Sequence, residues 1–419
     1  YNIVDSFFVA QVSEDAMTAI SIVYPLQNLA NAVGVGFGVG INAAVAYYLG
    51  AGNGKAANRS ATLGIILSAL HGVVLAGICM LLIRPFISMF TDSEEIAAYG
   101  LDYFYTVIAF APVLTLGMAF EKVLQATGKM KTTMFCMAIG AVANIILDPI
   151  FISGLGAVPA MGVFGAALAT GIGQTLSLIG YIAVFLLAKI PVRLRLERRG
   201  EEKICRKLYY VGIPASLNLA LPSFMITVLN AILAAFAEVY VLILGVYYKL
   251  QTFIYFTISG IVQGIRPLMS YNLGAGRKDR VMGIFKVTLL LSLGVMVIGT
   301  ILCLAIPKQL MDIFTDTPQT MEQGAVALRI ISAGFIVSAI SVVVSGSFEA
   351  LGKGMPSLII SLLRYIAILP IALLMSYLFQ AAGVWHSFWI TELLSAVVSC
   401  ILFWRLFYKD CTKQSCECV

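Results

Sequence analysis

In a very apolar chain, the few ionisable and amide side chains inside long hydrophobic runs are the places where chemistry is possible. Asp5 lies in Val4-Asp5-Ser6-Phe7-Phe8-Val9, and Asn144 and Asp148 stand four residues apart, followed by Pro149. Residues at that spacing share one face of a helix. Thr170 and Gln174 repeat the one-turn spacing. A carboxyl group in apolar surroundings favours its neutral form, so it can take up and release a proton. Two carboxyls, an amide and a hydroxyl supply the oxygens of a small proton or sodium site, and a proline frees a backbone carbonyl to join them. The plainer alternatives are a polar residue near the outer interface at Asp5 and an Asp-Pro helix end at Asp148.

The second half carries a different set. Lys249, Arg266 and Arg364 stand against Glu349 and Glu392, with Gln251 and Gln263 near them in sequence. Arg266 and Glu349 fall near span ends and are expected to snorkel. Lys249 is deeper, and should either pair with an acid such as Glu392 or line a wet cavity. Tyr24, Gln27, Gln174, Lys249, Gln251 and Glu392 are the expected lining of a substrate cavity. Glu121 and Lys122 read as an inner-interface pair. Sixteen methionines and many aromatic residues suit a pocket for flat cations, although most must be packing or lipid-facing residues. Two histidines far apart, His71 and His386, argue against a histidine-based catalytic or metal centre. No metal is expected beyond a possible Na⁺ at Asp5 and Asp148, and no cofactor.

Membrane-spanning helices must hold these groups. Hydrophobic residues make up 60% and charged residues 11%, against roughly half and about a quarter in soluble domains. Apolar runs long enough to span, about 20 residues, lie near 20–48, 60–86, 97–124, 131–153, 162–188, 209–235, 239–271, 283–306, 324–350, 356–379 and 383–407. Residues 1–12 read as the outer half of a further span whose start is missing, giving twelve in a complete protein. One set of loops carries the basic residues, among them Lys55, Arg59, Lys129, Lys131, Arg193, Arg198, Arg199, Arg277, Lys353, Lys409 and Lys413. The opposite set carries Glu14, Asp15, Asp92, Glu94, Glu238 and Asp316. Basic loops stay in the cytoplasm, so both termini are expected there. The net charge of +6 belongs to these loops and indicates topology, not nucleic-acid binding. Cys79, Cys136, Cys303 and Cys400 read as small core residues, and Cys411, Cys416 and Cys418 as reduced tail thiols.

An internal repeat organises the spans. Leu49-Gly50-Ala51-Gly52 returns as Leu273–Gly276, an offset of 224 residues, and Phe90-Thr91-Asp92 and Gly128-Lys129 return at the same offset. Tyr24, Gln27, Gly36 and Gly40 likewise meet Tyr248, Gln251, Gly260 and Gly264. The expected fold is an all-α polytopic membrane protein of two six-helix bundles, 1–190 and 208–419, joined by a basic linker, 191–207, lying on the inner leaflet. Six spans per repeat, an even number, imply a pseudo-two-fold axis along the membrane normal and a cleft between the bundles. Gly34, Gly36, Gly38 and Gly40 have small-xxx-small spacing and read as helix packing, since neither G-x-G-x-x-G register nor a preceding strand is present. The Leu-Gly-Ala-Gly glycines should end helices in the left-handed conformation.

At Val4–Val9, at both Leu-Gly-Ala-Gly copies, at Asn144-Ile145-Ile146-Leu147-Asp148-Pro149 and at Gly165-Ala166-Ala167-Leu168-Ala169-Thr170, the chain resembles the multidrug and toxic compound extrusion (MATE) family, most of all its bacterial drug-efflux branch. The resemblance runs nearly end to end. It implies an antiporter in the bacterial inner membrane, acting as a monomer, that exports organic cations or amphipathic drugs in exchange for H⁺ or Na⁺ by alternating access. It also implies a first-half cation site at Asp5, Asn144, Asp148 and Thr170. Some family members place an essential acid in the seventh helix, and Pro214–Pro222 here contains none. A flippase for lipid-linked sugars would need a strongly cationic cavity, for which Lys249, Arg266 and Arg364 are candidates. A membrane enzyme would need a catalytic cluster, and a channel a ring of charge; neither is evident in the sequence.

Overall fold

The computed structural model describes residues 5, 8, 9, 12–155, 158–195, 203–315 and 317–408. Val4, Ser6 and Phe7, Arg198 and Arg199, Asp316, Lys409, Lys413 and the tail cysteines Cys411, Cys416 and Cys418 lie outside the described residues. Among the described residues the regular elements are helices, with one isolated bridge between Leu155 and Val158. The chain forms two compact units, Tyr1–Ser216 and Leu217–Val419.

Unit 1 contains a short helical stretch at Asp5, Phe8 and Val9, then α1 (Glu14–Gly50), α2 (Gly54–Ile87), α3 (Glu94–Ala109), α4 (Ala111–Ala126), α5 (Met130–Ile152) and α6 (Gly162–Leu187). The helix α7 (Ile204–Ala234) crosses the division between units. Unit 2 continues with α8 (Glu238–Gly274), α9 (Lys278–Ala305), the short α10 (Pro307–Asp312), α11 (Pro318–Ser332), α12 (Phe335–Ala350), α13 (Gly354–Tyr365) and α14 (Ile368–Phe403). Caps set the starts: Ser13, Asn53 and Ser93 each accept a hydrogen bond from the backbone N–H three residues on, at Ala16, Ala56 and Ile96.

Eight segments are long and apolar enough to cross a membrane, and ten when each bent pair is taken as one crossing. The pairs are α3 with α4, bent by 42°, and α11 with α12, bent by 52°. Both bends fall at one position of the repeat, Phe110 and Gly334. At the first, Pro112 stands at the start of α4 and the Phe110 ring lies against Gly171, where an added Cβ would sit 2.3 Å from it. Gly354–Phe407 is 54 residues long and leaves helical geometry at Phe379 and Gln380, where Gln380 has φ 55°. It therefore reads as two crossings, which makes eleven among the described residues and agrees with the hydropathy reading. Ile66, Leu70, Val73, Ile78 and Leu81 form an exposed apolar stripe on α2, with Leu81 80% exposed. A stripe of this kind belongs against lipid.

The repeat is visible in the turns. Gly52 and Gly276 have φ of 70° and 72°, and Gly128 and Gly352 have 83° and 72°. After each, the next N–H returns to the carbonyl five residues back: Asn53 to Tyr48, Arg277 to Asn272, Lys129 to Leu124 and Lys353 to Phe348. These are four Schellman ends, where only glycine is unstrained. The alternating glycines of α1 face two neighbours. Added Cβ atoms at Gly34 and Gly38 would lie 2.6 Å from Met118 Sδ and 2.9 Å from Lys122 Cγ on α4. At Gly36 and Gly40 they would lie 2.3 Å from Ser216 N and 2.5 Å from Leu208 O on α7.

The linker, expected to lie on the inner leaflet, is described at its two ends. Its first part runs extended along α2: Arg193 N donates to Asn58 Oδ1 at 2.7 Å, Arg195 N donates to Thr62 Oγ1 at 2.9 Å, and Val192 is buried. Apolar burial of one residue and two backbone bonds to side chains hold it on protein. The helix α7 then begins at Ile204, inside the stretch read as linker.

Unit 2 has a buried polar knot at its inner end. Arg266 Nη2 and Glu349 Oε2 are 2.5 Å apart, while Asn218 Nδ2 and Ser357 Oγ both donate to Glu349 Oε1, at 2.9 and 3.0 Å. This is a packed network, and Glu349 is not a snorkelling side chain (4% exposed). Removing one partner of a buried pair strands the other, at a cost of about 3–5 kcal/mol. Arg266→Ala is thus expected to lower the unfolding temperature strongly in detergent, and Arg266→Met with Glu349→Leu to recover most of that loss. The same positions in unit 1 are Asn42 and Gln125, where Asn42 Nδ2 donates to Lys122 O and Lys122 bridges Glu121 and Gln125.

Candidate functional site

The structure brings Asp5, Asn144, Asp148 and Thr170 together in unit 1. All four are at most 2% exposed. Asn144 and Asp148 project from the last turns of α5, Thr170 from α6, and Asp5 from the first helical stretch. Asn144 Nδ2 stands 3.2 Å from Asp5 Oδ1, 3.0 Å from Asp148 Oδ1 and 3.4 Å from Thr170 Oγ1, and the Thr170 hydroxyl donates to Asp5 Oδ2 at 2.9 Å. Close helix contact makes this possible: an added Cβ on Gly165 of α6 would lie 2.5 Å from Phe151 O of α5. Around the cluster packs an apolar shell that includes Val9, Phe104, Ile152 and Val163.

The arrangement is electrostatically incomplete. The carboxyl groups of Asp5 and Asp148 face one another across a shared donor, Asn144 Nδ2. The ion pairs among the described residues lie elsewhere, at Lys122–Glu121, Arg266–Glu349 and Arg364–Glu392. Two unit charges about 4 Å apart repel by about 4 kcal/mol at an effective dielectric of 20. A shared proton or a bound cation removes that repulsion, as in other carboxyl pairs. Two buried oxygens, Asp148 Oδ2 and Asn144 Oδ1, have no hydrogen-bond partner, so the cluster retains capacity for a further ion or proton.

Gln27 reaches the same region. It is buried, as is Tyr103 of α3, and its Oε1 has no hydrogen-bond partner. Tyr103 was missed by sequence reasoning, because a tyrosine in an amphipathic pattern, here next to Asp102, reads as an ordinary packing residue. Gln174 is half-buried one turn from Thr170, and Tyr24 is exposed (44%).

Unit 2 has a cavity of ≈ 280 Å³ between α7, α8, α13 and α14. Gln251 and Glu392 line it, as expected; so do Tyr248, Tyr255, Arg364 and Phe388. Arg364 Nε donates to Glu392 Oε1 at 2.7 Å and its Nη2 donates to the Tyr255 hydroxyl at 2.9 Å. Its guanidinium also lies 5.1 Å from the Tyr255 ring centre and 5.5 Å from that of Tyr365. Lys249 is not in this wall. It is exposed, with Nζ 5.4 Å from the centre of the Phe314 ring, and the partner of Glu392 is Arg364. Arg364 carried a usable signal, a lone charge in Leu362-Leu363-Arg364-Tyr365. The three basic residues that a sugar-lipid flippase would use are therefore neutralised by carboxylates or placed outside the cavity.

The two halves hold opposite solutions at matched positions. At the repeat offset, Asp5, Asn144 and Asp148 correspond to Leu229, Ile368 and Ala372, each buried. Buried charge in unit 2 is balanced by the Arg364–Glu392 pair, whereas no ion pair among the described residues involves Asp5 or Asp148.

A helical, membrane-crossing fold with an internal repeat is that of a polytopic membrane protein. The MatE family model matches residues 1–150 and 214–374, so the chain belongs to the MatE family, the multidrug and toxic compound extrusion transporters, which are not enzymes. Curated relatives extend over nearly the whole chain. Multidrug export protein MepA of Staphylococcus aureus (strain N315) is 28% identical, covering 97% of this chain and 89% of its own. A protein of Shewanella oneidensis named an FAD transporter is 26% identical, covering 97% of this chain and 90% of its own. A crystal structure of MATE in the bent conformation superposes with a TM-score of 0.92 at 23% identity, over 99% of this chain and 92% of the other. A MOP superfamily transporter from Pyrococcus furiosus, described as having a binding pocket of reversed polarity, gives 0.86 at 21% identity, over 96% and 90%.

Proposed function

We propose that the protein is a secondary active antiporter of a bacterial plasma membrane, acting as a monomer with both termini cytoplasmic. It exports amphipathic aromatic molecules, organic cations among them, in exchange for protons. The observation that carries the coupling is the buried Asp5–Asp148 carboxyl pair, joined by Asn144 and Thr170 and balanced by no basic side chain among the described ion pairs. Protonation from the outside neutralises the pair and lets the first helical stretch close onto α5 and α6. Loss of the proton to the inside separates the two carboxylates again. Moving one charge through 100 mV supplies about 2.3 kcal/mol, a bias of roughly fifty-fold between two states.

Sodium is the second reading, favoured by the unpartnered Asn144 Oδ1 and Asp148 Oδ2. Turning the Asn144 amide would point its oxygen inward and make an all-oxygen cage, the donor chemistry that hard cations require. The test is reconstitution in liposomes with either a proton or a sodium gradient, following a fluorescent amphipathic cation. Movement that needs the proton gradient supports the proposal, movement with sodium alone transfers it to the sodium form, and movement with neither removes it.

A further inference from the structure

We propose that the cavity in unit 2 is a binding site for planar heteroaromatic molecules that carry no net charge, either neutral or zwitterionic, and that present a hydrogen-bond donor and acceptor on one edge. This rests on the transporter reading above and assigns a site for those of its substrates that are not ions.

Charge balance in the wall defines the ligand. Arg364 is held by Glu392 Oε1, by the Tyr255 hydroxyl and by two tyrosine ring faces, and Tyr255 is itself fixed by Ser338 Oγ at 2.7 Å. The guanidinium has little freedom to leave. Glu392 is used on one side only, since its Oε2 has no partner, and the Tyr248 hydroxyl near it has none either. Both atoms are closed off in the present side-chain positions, and a small turn of Glu392 and Tyr248 into the cavity would let a ligand donor and acceptor recover the free energy that an unpartnered buried acceptor and hydroxyl cost. The remaining surface is aromatic and aliphatic, with Phe256, Phe388 and Ile368 in the wall, which suits a flat ring system. At ≈ 280 Å³ the cavity is near the lower end of small-molecule sites, about 300 Å³, and fits a compact ring system better than a long chain.

An ion is the wrong ligand for this wall. A monocation would lie beside Arg364, and an anion beside Glu392, and either leaves a net buried charge. Such a charge is far more costly than a satisfied neutral edge. A donor–acceptor edge leaves the Arg364–Glu392 pair intact and completes its hydrogen bonding. Neutralising one partner of the pair should give the cavity the charge of the other.

Three fluorescent tricycles of similar size test this by equilibrium binding to the purified full chain in detergent at neutral pH, with no gradient imposed. They are uncharged lumiflavin, cationic N-methylacridinium and anionic resorufin. Wild type is expected to bind lumiflavin at least ~10-fold more tightly than either ion. Glu392→Gln should move the preference to resorufin and Arg364→Gln to N-methylacridinium, each by ~10-fold or more. Ser259→Trp fills the cavity from its wall and leaves the ion pair untouched, and should weaken lumiflavin binding by at least ~10-fold, which decides the matter even if the charge variants do not fold. Wild type preferring either ion, or Ser259→Trp binding lumiflavin as wild type does, overturns the proposal. Because no gradient enters the assay, such a result leaves the proton-coupling reading to stand or fall on the liposome experiment.

Discussion

Asp5→Asn is expected to reduce gradient-driven export by at least ~100-fold while the folded protein keeps its ligand affinity within a few-fold. The substitution is isosteric. It keeps one oxygen for the contact with Asn144 or Thr170 and removes the carboxyl that makes the pair with Asp148. With only one carboxyl left, the cluster no longer needs a second proton or cation to relieve repulsion of about 4 kcal/mol, so a gradient has nothing to act on. Asp148→Asn should behave alike, because the two acids act as a unit, and the double variant should be no worse than either single one. Parallel measurement of transport in liposomes and ligand binding in detergent separates loss of coupling from loss of fold. If both variants still export at near wild-type rates, coupling does not pass through this cluster.

Gly40→Leu is expected to prevent accumulation of folded protein, and Gly264→Leu to be tolerated. The two residues are repeat equivalents with opposite surroundings. A Cβ at Gly40 would stand 2.5 Å from Leu208 O and 3.2 Å from Gly212 N, backbone atoms of α7 that cannot turn aside. At Gly264 nothing lies within 4 Å. Overpacking a tight contact costs typically about 1–3 kcal/mol and more when backbone must shift, and here a whole leucine side chain would have to enter. Gly36→Leu and Gly260→Leu form a second matched pair, with Ser216 N 2.3 Å from a Cβ at Gly36 and open space at Gly260. Size-exclusion profiles of the four variants in detergent give the answer. Equal behaviour of Gly40→Leu and Gly264→Leu would show that close approach of α1 to α7 is not a requirement of the fold.

Much of the architecture was legible because the membrane imposes simple rules. Hydropathy located the crossings, since every backbone polar group must be satisfied within its own helix. The repeat alone located the Schellman ends at Gly52 and Gly276. Asp5, Asn144 and Asp148 were legible because acids inside apolar spans are rare, and Asn144 and Asp148 lie on one helical face. Tertiary contact decided the rest. The 42° bend falls where Phe110 packs on Gly171, a contact that no local pattern reveals. Lys249 was the basic residue expected to meet Glu392 or line the cavity, yet helix rotation puts Arg364 against Glu392 and leaves Lys249 exposed beside Phe314. Tyr255 holds Arg364 in place through its hydroxyl, and an apolar, amphipathic reading of aromatics cannot separate such a residue from core.

Coupling is the central claim, and the most direct test of it is proton movement driven by ligand alone. Liposomes containing the protein and a lumenal pH dye would receive an amphipathic cation on the outside, with no imposed proton gradient and with the membrane potential clamped. Coupled exchange predicts that ligand entering the lumen drives protons out, so lumenal pH rises in wild type and stays constant in Asp5→Asn and in Asp148→Asn. Ligand crossing the membrane with no pH change would contradict it.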